Sequence, residues 1–315
     1  MQYRYNLYFK SPFNILDSVK ISGALSSAAY KLFPDKKSEI TDALTKCNLK
    51  VSDQFPFDEK NNSPLLPVPL LPYSMPRKLD RDQRIKEAKG KKESVSFARI
   101  EPIKRLFKQF IEEGITRRNA MEILKEKDNE NELTAEAYNE ASEYGVNLLE
   151  EEPKVYVKEL EKIGNLQMRK FGQLEFLSYD PVYFLADYSM KEFSISMAFL
   201  EDAGLSGMFT RGKGHFFYQR NISEIETGFK GSGYYMILSK YCPSKSDITN
   251  IDLEKSYYSL GTFTGIGNGN IDLPKIRYFK AGSLLYLEGA VEGRSVITKN
   301  EERILSFSTM VIKVG

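Results

Sequence analysis

Gly204, Gly207, Gly212 and Gly214 frame a short stretch that also carries Arg211, Lys213 and the only histidine of the chain, His215. No Asp or Glu lies between Gly204 and Arg220. Glycines at this density let the backbone take positive φ at several positions and bring its N–H groups close to an anion, while a guanidinium and an ammonium add positive charge. The chemistry on offer is the cradling of phosphates. A nucleotide-binding loop is one form of it, since Gly207 to Lys213 fits the opening of G-x-x-x-x-G-K-[ST]. The last position is Gly214, however, so no hydroxyl is available for Mg²⁺, and residues 215–218 read as an aromatic strand where that motif needs a helix. A solvated glycine-rich turn is the plainest alternative. A loop that grips a nucleic-acid backbone is the third reading.

The flanking residues say what must hold this stretch. Phe193, Ile195, Met197 and Phe199 alternate as a strand would, yet Phe193, Met197 and Leu200 also form a helical stripe. Ser189 with Glu192 three residues on makes a capping box, and Gly204 suits a helix C-terminus, which favours a helix over 191–203. The expected order is helix, glycine loop, strand. At the N-terminus Tyr3, Tyr5, Leu7 and Phe9 alternate with Arg4, Asn6, Tyr8 and Lys10, the pattern of a half-buried strand ended by Pro12. Asp17 or Ser18 then caps a helix with Ile21, Leu25, Ala28, Ala29 and Leu32 on its apolar face, stopped by Pro34. A strand followed closely by a helix opens a ferredoxin-like (RRM-like) unit.

A chain of 315 residues with 41% hydrophobic and 28% charged residues can bury a substantial core, and two domains or a duplicated one are expected. Cys47 and Cys242 have no metal-ligand spacing, so neither a disulfide framework nor a zinc site is indicated. No leader and no long apolar run is evident, and a cytoplasmic protein is the expectation. The net charge of +2 says little, but residues 77–108 hold 12 Lys/Arg against 5 Asp/Glu and residues 126–161 hold 12 acids against 3 Lys. The first stretch could face nucleic acid; the second would repel it.

Six prolines fall within residues 52–76, a density that argues against regular structure there and fits a linker or a partner-binding tract. A strand is expected over 94–100, then a helix with Pro102 at its first position, Ile103, Leu106, Phe107, Phe110 and Ile111 on one face, and Gly114 as its end. Residues 115–153 read as an acidic helical insertion, with Thr134 as a cap. Strands are expected over 171–178 and 182–186, and after the loop over 215–221, 234–240, 256–263, 275–278, 283–288 and 303–314. Gly261, Gly265, Gly267 and Gly269 read as a hairpin tip.

In form, a hydrophobic segment, then Ala203, Gly204, Leu205, Ser206 and Gly207, then Arg211, Gly212, Lys213, Gly214 and an aromatic strand resembles the glycine-rich loop of the RAMP proteins of CRISPR systems. Within that superfamily it is most similar to the Csm subunit that holds the 5′ end of the guide RNA in type III-A effector complexes. The family loop reads G-(I/L)-G-G-(D/E)-R-S-x-G-x-G-x-F; here Ser206 stands at a glycine position and Met208 and Phe209 stand where an acid and an arginine are common. The glycine frame carries over; contacts made by those family side chains do not. Phe55, Pro56 and Phe57 followed by Leu66, Pro67, Val68, Pro69 and Leu70 resemble the family's FP(Y/F) … LPKPL segment. Lys91, Lys92, Val95, Ser96 and Phe97, and later Phe279, Ala281, Gly282, Ser283 and Leu284, match two further family segments in order. At the junction of first strand and first helix the family carries a polar motif near the RNA, occupied here by Ser18, Lys20, Ser22 and Gly23, without the histidine common in relatives.

The resemblance implies an α+β fold of two ferredoxin-like (RRM-like) units with a helical insertion and a glycine-rich loop. The expected division is 1–178, with the Pro-rich segment (52–76), the basic stretch (77–108) and the acidic helical insertion (115–153), and 179–315, with the loop at 203–215. It implies a non-catalytic RNA-binding subunit of a type III CRISPR effector complex, without cofactor or metal, docked to the large polymerase-cyclase subunit and the backbone RAMP subunit. The 5′ handle of crRNA would be held by Gly204, Ser206, Gly207, Thr210, Arg211, Gly212, Lys213, Gly214 and His215, with Lys20, Ser22, Arg77, Lys78 and Arg99 in support. Two alternatives remain: the paralogous subunit of a type III-B complex, and a RAMP-type endoribonuclease cutting the crRNA precursor. Such nucleases often use a histidine near the first helix, whereas His215 lies about 200 residues from it in sequence.

Overall fold

The computed structural model describes residues 2–11, 13–72, 96–115, 117–124, 167–171, 173–205, 213–264, 275–297 and 304–315. Strand β1 (Gln2–Phe9) leads to helix α1 (Ser18–Leu32), capped by the Asp17 side chain accepting from the Lys20 N–H. Phe33 ends that helix by donating to Ala29 O, and Pro34, which cannot continue an α-helix, opens a single 3₁₀ turn before α2 (Lys37–Thr45). Short strands β2 (Lys50–Val51), β3 (Phe55–Asp58), β4 (Ser63–Pro64), β5 (Leu66–Pro67) and β6 (Phe97–Ala98) follow. Then come α3 (Ile100–Glu113), α4 (Arg117–Leu124), β7 (Gln167–Phe171), β8 (Leu174–Ser178), β9 (Val182–Asp187), α5 (Lys191–Ala203) and β10 (Phe216–Ile222).

The main sheet runs β10-β1-β9-β3-β4, with β2 also on β9, and every pairing is antiparallel. Its alternation decides which residues meet the helices. Tyr5, Leu7 and Phe9 of β1 and Val182, Phe184 and Ala186 of β9 share one core with Ile21, Leu25 and Ala29 of α1 and Phe193, Met197 and Leu200 of α5. Read along the chain this is a β-α-β-β-α-β order.

The remaining elements are β11 (Gly233–Ile237), α6 (Lys245–Ile248), β12 (Ile251–Tyr257), β13 (Leu260–Phe263), β14 (Ile276–Phe279), β15 (Leu284–Leu287), β16 (Gly293–Ile297), β17 (Ile304–Ser308) and β18 (Val311–Lys313). A second antiparallel sheet runs β12-β15-β11-β18, which repeats the strand order of the first. Where the first sheet has paired helices, this one has the single-turn α6 and the β16–β17 hairpin. That hairpin packs on the first unit: Ser295 Oγ donates to Leu44 O at 2.6 Å and Ser308 Oγ to Leu49 O at 3.0 Å. A second core joins Phe57, Tyr183 and Leu185 on the far face of the first sheet to Ile103, Leu106 and Phe107 of α3 and to Met236, Leu284 and Ile312 of the second sheet. The molecule is thus a mixed α/β protein of several antiparallel sheets and few helices.

Several expectations change. Residue 178 is not a seam between sheets, because β9 and β10 from beyond it complete the sheet begun by β1. β1 is buried on both faces: Arg4, Asn6 and Tyr8 are 4%, 1% and 6% exposed. The β7–β8 hairpin covers them from one side, with Phe171 stacked on Phe217 and Arg169 over the Tyr8 ring, and Arg4 lies over Phe57 while pairing with Glu224. An open RRM-type sheet face is therefore not available. The Pro-rich segment does enter regular structure, as the short strands β3, β4 and β5. Residues 171–178 form part of a hairpin instead of one strand, and Pro102 sits two residues inside α3, where its missing N–H is one that the first helical turn leaves unused anyway. Ser189 does not cap α5; Met190 holds that position, and Glu192 is buried against Lys36 at 2.5 Å. Cys47 and Cys242 are buried free thiols. No helix among the described residues is long and apolar enough to cross a membrane. Thr134, most of the acidic insertion and Gly265, Gly267 and Gly269 lie outside the described residues.

Candidate nucleic-acid interface

Helix α5 ends at Gly204, whose N–H donates to Leu200 O at 2.8 Å and whose φ of 88° is a conformation that side chains disfavour. Two bonds then close a stem. The Leu205 N–H donates to Gly214 O at 2.9 Å, and the Lys10 N–H donates to His215 O at 2.8 Å. The His215 N–H completes the frame by donating to Ser11 Oγ at 3.0 Å. Gly214, at φ 77°, makes the turn into β10. Leu205, Gly214 and His215 are in this way held beside the end of β1.

The junction between β1 and α1 lies next to that stem and is already charged. The Ser18 N–H donates to Asp53 Oδ1 at 2.7 Å and the Lys20 N–H to Asp17 Oδ1 at 3.0 Å, so two carboxylates occupy the positive end of α1. Lys240 reaches in from the second unit, with Nζ 2.8 Å from Asp17 Oδ2 and its N–H on Ser18 Oγ. Desolvation, resisted by the Ser18 N–H and reinforced by Asp17, pushes the partly exposed Asp53 up to about 6. A phosphate is not expected at this helix terminus. Positive side chains stand at Lys20, in the first turn of α1, and at Lys31, in its last turn, along a groove of about 560 Å³ between α1 and α5 that Gly204 and Leu205 also line.

The structure sorts the sequence candidates. Gly204, Gly214, His215 and Lys20 come together around the stem and the groove. Ser22 does not join them, because it is buried and its hydroxyl donates to Val19 O. Lys213 is 5% exposed, so its ammonium is enclosed by protein instead of being offered at the surface. Arg99 binds Asp58 at 3.1 Å, at the β3–β4 edge of the sheet, three strand spacings of about 4.8 Å from β10. Arg77, Lys78, Ser206, Gly207, Thr210, Arg211 and Gly212 lie outside the described residues. Sequence reasoning did not find Asn14, Ser27, Lys31 and Phe199, which line the groove. The signal is in the small residues of α1, Ser22 to Ala24 and Ser26 to Ala29, which suit a helix and also leave space beside it. His215 lies about 200 residues from the first helix in sequence, and β1–β10 pairing brings it to Ser11.

No family model matches the chain, and no curated protein matches it. Solved structures do. A chain from the Csm3–Csm4 subcomplex of the type III-A CRISPR–Cas interference complex superposes with a TM-score of 0.56 at 17% identity, covering 98% of this chain and 98% of that one. Chains from the Csm1–Csm4 cassette in complex with pppApApA (TM-score 0.49, 13% identity, 100% of this chain and 98% of that one) and with one ATP (0.49, 15%, 99% and 98%) are also similar. The likeness at these identities is one of fold.

Proposed function

We propose that this chain is a non-catalytic RNA-binding subunit of a type III CRISPR effector complex, holding the 5′ handle of crRNA at the glycine-loop stem. The observation that carries the reading is the stem itself, which joins Leu205 to Gly214 beside a groove free of acidic side chains among the described residues, in a fold matched end to end by a chain of the Csm3–Csm4 subcomplex. Single-stranded RNA is held by backbone contacts and by bases stacked or enclosed one at a time. With the far sheet face covered, such contacts fall to the loop and to the helix side of the first sheet. The second sheet, on this view, is a ferredoxin-like copy whose helices have shrunk to α6 and a hairpin. The neighbour's association with Csm3 supports docking to a backbone RAMP subunit, and the sequence resemblance adds the large polymerase-cyclase subunit as a second partner.

The test is fluorescence anisotropy with handle-length single-stranded RNA across a salt series. The expected result is binding that weakens as salt rises, and an Arg211→Glu variant that binds at least tenfold more weakly at low salt with an unchanged melting temperature. Lys213 is left intact in this test because a charge reversal at a buried site would unfold the stem. Unchanged affinity in the variant would remove the loop from the site. One observation favours a second reading: His215 stands beside the β1–α1 junction, where RAMP nucleases keep a histidine. Cleavage of a repeat hairpin that is abolished by His215→Ala would establish the enzyme instead.

A further inference from the structure

Ala24 and Ala28 of α1 and Ala203 of α5 line the space between the two helices, and Gly204 ends the second helix without a side chain, so that space stays open. Its volume, about 560 Å³, suits one nucleotide unit. The floor is apolar and Phe199 supplies an aromatic ring. The rim carries Lys20 and Lys31, and among the described residues no acidic side chain lines it. Lys31 makes no ion pair among the described residues, and Lys20, itself exposed, makes only a long one, 3.7 Å from an Asp17 oxygen that Lys240 already holds at 2.8 Å, which competes weakly with a phosphate. Two uncharged polar side chains also line it, Ser27 and Asn14, and the second is the informative one. Asn14 lines the groove, and its Oδ1 is buried without a hydrogen-bond partner among the described residues. A buried amide oxygen of this kind is an acceptor waiting for an N–H donor.

We propose that the groove receives one nucleobase of the bound RNA and selects a base bearing an exocyclic amine, with Asn14 Oδ1 accepting from that amine. The proposal rests on the RNA-binding reading and names the subsite within it. Phe199 lies against the base, Ala24 and Ala203 leave room for it, and Lys20 and Lys31 meet the flanking phosphates. Adenine, cytosine and guanine each present an amine. Uracil offers Oδ1 only its N3–H, flanked on each side by a carbonyl oxygen whose repulsion weakens that bond relative to one from a free exocyclic amine.

The experiment compares oligo(A), oligo(C) and oligo(U) of one length by anisotropy at fixed salt, using the full chain. Wild-type protein is expected to bind oligo(A) and oligo(C) about tenfold more tightly than oligo(U), the discrimination of one well-placed base contact. Asn14→Leu removes the preference while oligo(U) affinity stays as it was. Ala24→Leu with Ala203→Leu fills the groove and lowers oligo(A) affinity to the oligo(U) level, and Lys20→Gln with Lys31→Gln reduces the salt slope by about 1.4, at 0.7 per phosphate on a single strand. The wild-type comparison needs no variant, so a variant that fails to fold does not rescue the proposal. Equal binding of the three oligomers, or an unaltered groove-filled variant, overturns the base site and leaves the RNA-binding reading standing. A wild-type protein that binds none of them removes both.

Discussion

The two sheets share a strand order and differ in what covers them. Over the first, α1 and α5 bury apolar stripes against β1 and β9. Over the second, a single carboxylate takes much of that role: Asp247 is buried and accepts from the Tyr241 hydroxyl at 3.0 Å, the Ser244 N–H at 3.0 Å, the Glu292 N–H at 3.2 Å and the Gly293 N–H at 2.8 Å. One side chain ties α6 to the start of β16. The difference teaches where a ligand can enter. Between α1 and α5 small residues leave a groove with a basic rim, whereas the cavity of about 660 Å³ that β18 of the second sheet lines carries Glu101, Glu224 and Glu226 beside its lysines, which disfavours a phosphate chain. The candidate site accordingly lies on the first sheet, and the second serves to brace it, through the β16–β17 hairpin on α2 and Lys240 on Asp17.

The sharpest way to break this comparison is to damage each cover in turn. Phe193, 1% exposed, belongs to the stripe of α5, so Phe193→Ala is expected to cost about 3–5 kcal/mol in urea unfolding. It should also abolish RNA binding, because α5 carries one foot of the stem. Asp247→Ala strands four donors, two of them N–H groups at the start of the hairpin, and is expected to cost about 2–3 kcal/mol. Here RNA affinity of the folded fraction should hold. If the second substitution weakened RNA binding as much as the first, the division into a binding unit and a bracing unit would be wrong.

What could be read from the sequence follows the same division. β1, α1 with its Asp17 cap, α5 with Gly204 at its end and the strand after the loop are legible because their signals are local: an alternation, a cap, a stripe, a glycine. The misread positions owe their state to distant partners. Glu192 resembles half of a capping box, yet Lys36, from the turn after α1, takes its carboxylate. Arg4, Asn6 and Tyr8 have the polarity of a solvent face but are covered by Phe57 and by a hairpin that begins at Gln167. Lys213 looks like a surface cation and is enclosed. β16 and α2 have no alternation or stripe strong enough to stand out: β16 is settled by pairing with β17, and α2 by Ile40, Ala43 and Leu44 entering the first core. The groove was invisible for a related reason, since small residues announce a helix more plainly than the space beside it.

The smallest expected effect concerns the contact between the units at the β1–α1 junction, where the carboxylates of Asp17 and Asp53 share one helix terminus with Lys240. Because Asp53 is raised to about 6 in the folded protein, the native state holds its proton more tightly than the unfolded chain does. Its favourable contribution is complete below the ordinary carboxylate range and is lost as pH rises through about 6. Asp53→Asn keeps an oxygen for the Ser18 N–H and removes the charge, so it should match wild type near pH 4 and exceed it by about 1–2 kcal/mol near pH 7.5, a value reduced for the partial exposure of the residue. Urea unfolding at the two pH values measures the difference. A gain of equal size at both would mean that the substitution acts through packing, and that the junction is held by Lys240 and Asp17 without electrostatic strain from Asp53.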